Sequence, residues 1–348
     1  MEDKNFLLVS IIISCRNEEK YIAKCLDSII AQDYPKNKLE ILVVDGRSTD
    51  ETREIVKKYT EKHSFIKLLD NPRRVTPFAM NKGIKKANGD VIILVNAHSV
   101  LDENFLKYNI EYLKKTRADA VGGRLNTIND DSSIIAQAIP LAADSLLGAG
   151  GKRYRSRIEE GWVKDTLPYC TYPRKTFDKV GLIDEELIRD QDEEFNYRLL
   201  RSGGKIFYAP KIKSYLHVRP SLKKLWRQYF QYGYFKVRVA RKIGAILIWR
   251  QLIPAIFVGS LIFTGVISFL SKFFLWLFLL IAGPYLFVNF GFSLSIAIKK
   301  GLRFFPVLPV VFVTLHFSYG LGFLKGIWDF VIRKKHLKQK IEDVGLTR

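Results

Sequence analysis

Apolar and polar positions fall into long alternating blocks over the first hundred residues. "FLLVSIIIS" (6–14) is nearly all apolar and β-branched, and its short length predicts a buried strand. "EEKYIAKCLDSIIAQ" follows, with Tyr21, Ile22, Cys25, Leu26, Ile29 and Ile30 at helical spacing. "LEILVVDG" (39–46) predicts a second strand. "STDETREIVKKY" predicts a helix, with Ser48 and Glu51 spaced as a capping box. "FIKLLDN", "PFAMNKGIKKANG" and "DVIILVNA" predict a third strand, a helix closed by Gly89 and a fourth strand. Continuous apolar strands separated by helices imply a parallel sheet covered on both faces. Ligands bind beyond the carboxyl ends of such strands. Asp45, Asn96 and His98 therefore belong to a ligand-binding rim.

The stretch 122–210 is mixed until "DEEFNYRLLRSGG", a helix ended by two glycines. Three uncharged runs come later: 252–270, 273–298 and 304–324, of 19, 26 and 21 residues. About 20 apolar residues span a bilayer. The basic tail "RKKHLKQK" and the loop "KKGLR" both favour the cytoplasmic side. Three full spans conflict with that if the first domain is also cytoplasmic. The expectation is two to three spans within 244–332, with the third run, broken by Pro306 and Pro309, re-entrant or interfacial.

Charge sharpens this picture. The 348 residues carry 56 Lys and Arg against 35 Asp and Glu, a net charge of +21, which points to anionic partners. No acid occurs between Glu194 and Asp329, and ten of the residues 211–242 are basic. That basic segment interleaves Trp226, Tyr229, Phe230, Tyr232, Tyr234 and Phe235. Followed by apolar runs, it reads as a helix on an anionic membrane face rather than a nucleic-acid site. Cys15, Cys25 and Cys170 form no CxxC, so a disulfide framework or zinc knuckle is not expected and a reducing cytosol is. The opening residues do not read as a signal peptide.

Four stretches together resemble family 2 glycosyltransferases of the GT-A fold: "VSIIISCRNEEKYIAKCLDSIIAQDYP", "LEILVVDGRSTDET", "MNKGIKKANGDVIILVNAHS" and "RDQDEEFNYRLLRSGG". The segment "RQYFQYGYFKVR", followed by apolar runs, is similar to the succinoglycan-type exopolysaccharide glucosyltransferase branch. The resemblance implies an α/β class protein. A cytosolic GT-A domain, Rossmann-like with a mostly parallel sheet, would occupy 1–240. Transmembrane helices (244–332) and a basic tail (333–348) would follow it on the cytoplasmic membrane. Asn17, Glu18, Asp45, Asn81 and Asn96 match positions that hold the nucleotide sugar. Asp45 also reads simply as a turn residue, and Asn17 and Glu18 as an ordinary helix N-terminus.

The family usually ends its fourth strand in Asp-x-Asp, which binds a divalent metal. Here Asn96-Ala97-His98 stands instead. An imidazole still suits Mn, Fe, Co or Zn, whereas Mg prefers oxygen. The expected cofactor is a divalent metal, Mn or Mg with Mn favoured, on His98 and His217. The other reading of each His is structural. Aligned on Arg198, Asp192 takes the position of the base that deprotonates the acceptor hydroxyl, with Gln191 before it and Asp190 and Glu193 as nearby alternatives. Arg219, Gln228 and Gln191 are assigned to the diphosphate or acceptor, and Gln231 in place of an Arg argues against processive synthesis. Arg124 and Arg174 read as solvated charges. The implied reaction moves a hexose from a UDP-sugar to a lipid-linked saccharide. The rivals are a polyprenyl-phosphate glycosyltransferase and a non-catalytic sugar-nucleotide- or glycan-binding membrane protein.

Overall fold

The apolar runs form strands where the sequence places them. β1 (Val9–Cys15), β2 (Leu39–Asp45), β3 (Ile66–Asp70) and β4 (Val91–Asn96) alternate with α1 (Ile22–Ile30), α2 (Thr52–Lys62) and α3 (Thr76–Lys86). This is a computed structural model, and it describes residues 6–128, 131–148, 159–164, 166–217, 221–244 and 249–334. β2 and β4 flank β1 in parallel, and β3 adds to β2, also in parallel. The next elements are β5 (Ser99–Leu101), α4 (Phe105–Thr116), β6 (Ala120–Ile128), α5 (Ile134–Ala143), β7 (Gly161–Val163) and β8 (Thr171–Pro173). After them come α6 (Arg174–Val180), α7 (Gln191–Arg201) and β9 (Ile206–His217). Among the described residues the sheet has nine strands in the order β3-β2-β1-β4-β8-β6-β9-β5, with β7 on β9. Its second half is antiparallel.

The period of two along β1 separates two packing faces. Ile11 and Ile13 share one buried core with Ile22, Leu26 and Ile29 of α1 and Phe105 and Ile110 of α4. Ile12 faces the other way, against Gly83 of α3. A methyl on Gly83 would come within 2.3 Å of Ile12 Cγ2, so only glycine lets this helix lie so close.

Glu40 of β2 ties three elements together inside the sheet. It accepts hydrogen bonds from Ser10 Oγ at 2.6 Å, from Asn88 N and Nδ2 at 2.8 Å each, and from Lys67 Nζ at 3.3 Å. Burial raises its pKa, but the bonds from Ser10, Asn88 and Lys67 outweigh burial and hold it below the ordinary carboxylate value. A depressed carboxylate stabilises the fold above its unfolded pKa, and that stability is lost as pH falls through the folded value. Glu40→Gln is therefore expected to cost about 1–3 kcal/mol at neutral pH and to approach wild type in acid. Thermal melts across pH check this; parallel curves for the two proteins would remove Glu40 from the account.

Three local expectations change. α2 starts at Thr52 with no side-chain cap, because the Ser48 hydroxyl is bonded to Asp45 instead of closing a capping box. Arg174 is no solvated charge: it donates to Gly89 O at 2.8 Å and Ala87 O at 2.7 Å, holding the end of α3. Within the basic stretch 211–242, residues 211–217 lie in β9 and 222–242 in α8 (Leu222–Ile243).

The described chain forms two compact units, 6–126 with 159–217, and 127–148 with 221–334. The second holds α5, α8, α9 (Ile253–Ile267), α10 (Lys272–Lys300) and α11 (Leu308–Gly326), which continues as a π-helical stretch to Ile332. α8 crosses α11 at glycines: a methyl on Gly233 would lie 2.1 Å from Tyr319 O, and one on Gly322 2.0 Å from Phe230 O. Two helices among the described residues are long and apolar enough to cross a membrane, Lys272–Lys300 and Leu308–Ile332. The first is almost wholly exposed, and the second is half buried within the unit. The third apolar run is not broken at its prolines. Pro309 sits in the first turn of α11, where a missing N–H costs nothing, and a long helix follows. The short element is α9, whose 15 residues give about 22 Å against a ~30 Å hydrocarbon core.

Candidate active site

β1, β2 and β4 end level with one another, Cys15 beside Asp45 and Ser14 beside Asn96. The loops that leave β1 and β2 are laced together there. Asn17 N donates to Ser48 Oγ at 2.9 Å, Thr49 N to Asn17 Oδ1 at 2.8 Å, and Glu18 N to Thr52 Oγ1 at 2.7 Å. Asn17 and Arg47 both take left-handed backbone, with φ of 54° each. The Asn17 side chain is thus engaged in holding the rim.

Asp45 is fully buried at 0% exposure. Its carboxylate accepts from Ser48 N at 3.1 Å, Ser48 Oγ at 2.5 Å and Arg53 Nη1 at 2.6 Å. Arg53 also reaches Asp70 at 3.2 Å. The structure thus shows the turn arrangement at Asp45, and Asp70, partly exposed, lies beside Arg47 at 3.4 Å. Next to Asp45 lies a residue the sequence reading passed over. Arg16 packs over Gly46, and its Nε and Nη1 are buried with no hydrogen-bond partner. A buried guanidinium needs acceptors or a counter-charge, so these nitrogens suit an anionic or carbonyl-rich ligand.

His98 does not stand alone at the end of β4. Its Nδ1 lies 3.3 Å from Glu18 Oε1, with the two side chains 22% and 5% exposed. A carboxylate from the loop after β1 thus lies beside the imidazole at the strand end. His217 N donates to His98 O at 3.0 Å, and the His217 ring packs on Tyr21 with centroids 4.8 Å apart. No cluster of three or more His, Cys, Asp or Glu side chains that could hold a metal occurs among the described residues. Glu18 and His98 form a two-residue pair of one oxygen and one nitrogen donor. Such a pair fits a divalent ion that draws its remaining ligands from a diphosphate and water.

Asn96 Nδ2 donates to Tyr169 Oη at 3.2 Å, and Ser99 Oγ donates to the same oxygen at 2.7 Å. Asn81 lies deeper. It donates to Ile183 O at 2.8 Å and Glu185 Oε1 at 2.9 Å, and accepts from Ile183 N at 3.0 Å. Its amide holds the loop that leads to Asp190 and α7. Arg198 braces the same loop. It makes a two-pronged pair with Glu194 at 2.5 and 2.9 Å and donates to Val180 O and Leu182 O.

Gln191, Asp192 and Glu193 open α7, with Asp190 before them in left-handed backbone at φ 58°. Asp192 is exposed, and its Oδ1 accepts from Glu193 N at 2.9 Å. Burial pushes Tyr169 and Tyr172 well up and Cys170 to about 12, and the Asp192 charge adds to the rise in all three. Asn196 of α7 donates to Leu167 O at 3.1 Å and accepts from Tyr172 Oη at 2.8 Å, which ties the helix of Asp192 to the segment of Tyr169, and Tyr169 in turn holds Asn96. Gln228, on α8 of the second unit, donates to Tyr232 Oη at 2.8 Å. Arg219 lies outside the described residues.

Residues 10–181 match the model of glycosyl transferase family 2. A Methanococcus voltae protein is 33% identical over 92% of this chain and 97% of its own length. It is named dolichyl N-acetyl-alpha-D-glucosaminyl phosphate 3-beta-D-2,3-diacetamido-2,3-dideoxy-beta-D-glucuronosyltransferase. The chain belongs to glycosyltransferase family 2. This glycosyltransferase is also 26% identical to the succinoglycan biosynthesis protein ExoA of Rhizobium meliloti, over 92% of the chain and 95% of that protein. Its fold matches a mannosyltransferase from Pyrobaculum calidifontis, solved with GDP-Man and Mn2+, at a TM-score of 0.63 and 17% identity. That match covers 94% of this chain and 88% of the other. The GT-A fold expected from the sequence is the fold observed.

The glycosyltransferase has two site features that the sequence reading missed. Arg16 stands inside the quoted "RNEE" stretch, but nothing in a sequence tells that its guanidinium is buried. Tyr169 lies in the mixed middle region, where no periodicity marks it.

Proposed function

We propose that this glycosyltransferase moves a hexose from a UDP-sugar to a hydroxyl of a lipid-linked saccharide, with inversion. The observation that carries the reading is the exposed Asp192 at the start of α7, a helix that Asn196 bonds to the segment of the Tyr169 that holds Asn96. Asp192 takes the proton from the acceptor hydroxyl as its oxygen attacks the anomeric carbon. One displacement inverts that carbon. Asn96 and the laced loops of Asn17 and Glu18 face the donor. Arg16 and His217 supply cationic or donating groups toward the leaving diphosphate. Gln191 serves the acceptor side. Glu18 and His98 would hold a divalent metal, Mn in preference to Mg, which when bound offsets charge on the diphosphate.

The lipid-linked acceptor is supported by the names of the relatives, one for a dolichyl-linked sugar phosphate and one for succinoglycan biosynthesis. The two long apolar helices support anchoring in the cytoplasmic membrane with the catalytic unit in the cytosol. The deciding assay offers detergent-purified enzyme a panel of UDP-sugars with either a polyprenyl-phosphate-linked sugar or bare polyprenyl phosphate. A disaccharide product on the first acceptor is expected. Product on the bare phosphate alone would replace this reading with a polyprenyl-phosphate glycosyltransferase, and donor binding with no turnover would replace it with a binding protein. Arg16→Met is expected to weaken UDP binding about tenfold or more, the worth of a charged hydrogen bond. Unchanged calorimetric affinity would remove Arg16 from the donor site.

A further inference from the structure

Tyr169 occupies a position that its backbone resists. Its φ is 49°, in the left-handed region that bulky side chains avoid. Such a conformation persists only where the surroundings over-determine it, and these positions gather at functional sites. Tyr169 follows a buried Leu167 and precedes the buried Cys170 that leads into β8. Its hydroxyl accepts from Asn96 Nδ2 at 3.2 Å and from Ser99 Oγ at 2.7 Å. Those two residues bracket Ala97 and His98. One phenol oxygen therefore pins both sides of the turn that carries His98. On its other side the segment of Tyr169 is bonded to the helix that Asp192 opens: Asn196 Nδ2 of α7 donates to Leu167 O at 3.1 Å and Asn196 Oδ1 accepts from Tyr172 Oη at 2.8 Å.

We infer that Tyr169 is a positioning residue that fixes the Asn96–Ser99 turn relative to the base at Asp192. It touches neither reacting atom. It sets the distance between the donor side and the acceptor side of the reaction. The inference rests on the reading of Asp192 and Asn96 given above. The physical reason to need such a tie is the fold itself: Asn96 ends a parallel strand, whereas Asp192 begins a helix 96 positions later in the chain. Nothing local in the sequence holds those two ends in register. A misplacement of about 1 Å is enough to cost on the order of a hundredfold in rate.

The test is Tyr169→Phe, which keeps the ring and removes only the oxygen, with Ser99→Ala as a second variant that cuts one of the two bonds. Amide hydrogen exchange by mass spectrometry is read over residues 91–104 and, as a control, over 39–45. Loss of the tie is expected to speed exchange about tenfold at residues 96–101 in both variants and to leave β2 unchanged. In the same preparations kcat for transfer is expected to fall by about tenfold to a hundredfold, with a smaller change in KM for the donor. A purely structural tyrosine would instead lower the melting point and speed exchange across the sheet. That pattern, or unchanged exchange, or local exchange with an unchanged kcat, overturns the inference. If the wild-type protein transfers no sugar while exchange still rises locally, the tie stands and the functional reading is what has failed.

Discussion

Asp192→Asn is expected to lower glycosyl transfer by about a hundredfold to ten-thousandfold, the range over which a positioned base acts, while UDP affinity stays at the wild-type value. The substitution is nearly isosteric. An amide oxygen still accepts the hydrogen bond that Glu193 N gives the carboxylate at 2.9 Å, so the start of α7 should keep its shape. What is lost is a group that can take a proton. The effect therefore falls on kcat, because the carboxylate is needed when the acceptor oxygen attacks and not when the nucleotide binds. Two neighbours test the assignment. Asp190 precedes the helix in left-handed backbone, and Glu193 is the next residue of its first turn. Asp190→Asn and Glu193→Gln should each cost much less than Asp192→Asn. If Asp192→Asn transfers sugar at the wild-type rate and one of the others does not, the base is the other carboxylate. If all three are insensitive, the acceptor needs no base, which is the behaviour of a phosphate oxygen.

The parallel half of the sheet was legible because its strands are continuous apolar runs with helical spacing between them, and Val9 through Asn96 fold as that pattern directs. The antiparallel half was not. β7 and β8 have three residues each, too few for a period to show. Their partners are distant strands, and pairing of that kind leaves no local signal. Among the site residues, the rim itself was legible from strand ends alone. What each side chain does there was not. Asp45 illustrates the gap: a sequence shows a carboxylate at a strand end, but only the structure shows it bonded to Ser48 and Arg53. Glu18 illustrates the reverse. It reads as one acid in an ordinary helix start, yet the fold sets it 3.3 Å from His98, 80 positions along the chain. Contacts across loops depend on register between strands, and register is a property of the whole sheet.

That pairing leads to the second large effect. Without it, Asn96-Ala97-His98 would offer a metal one neutral ligand and no charge. With it, the rim offers an imidazole and a carboxylate that approach each other from β4 and from the loop after β1. Mn is accordingly expected to tighten UDP binding in calorimetric titration of the wild-type protein, and Mg to do so less, since Mg gains little from a nitrogen donor. His98→Ala should abolish the Mn-dependent gain, a loss of at least the about tenfold to hundredfold that even outer partners of a metal site cost. Glu18→Gln should remove most of it as well, because it keeps the shape and the bonds of the loop but discards the charge. Affinity for UDP measured without metal should stay the same in all three proteins. The two substitutions together separate the possible outcomes. A gain lost in His98→Ala but kept in Glu18→Gln would make Glu18 a partner that orients the imidazole, with the metal on His98 alone. If all three proteins bind UDP equally with and without Mn, the pair is an ion pair within the rim. The charge on the leaving diphosphate would then have to be met by Arg16 and the neighbouring cations, whose own substitution should in that case have the larger effect on transfer.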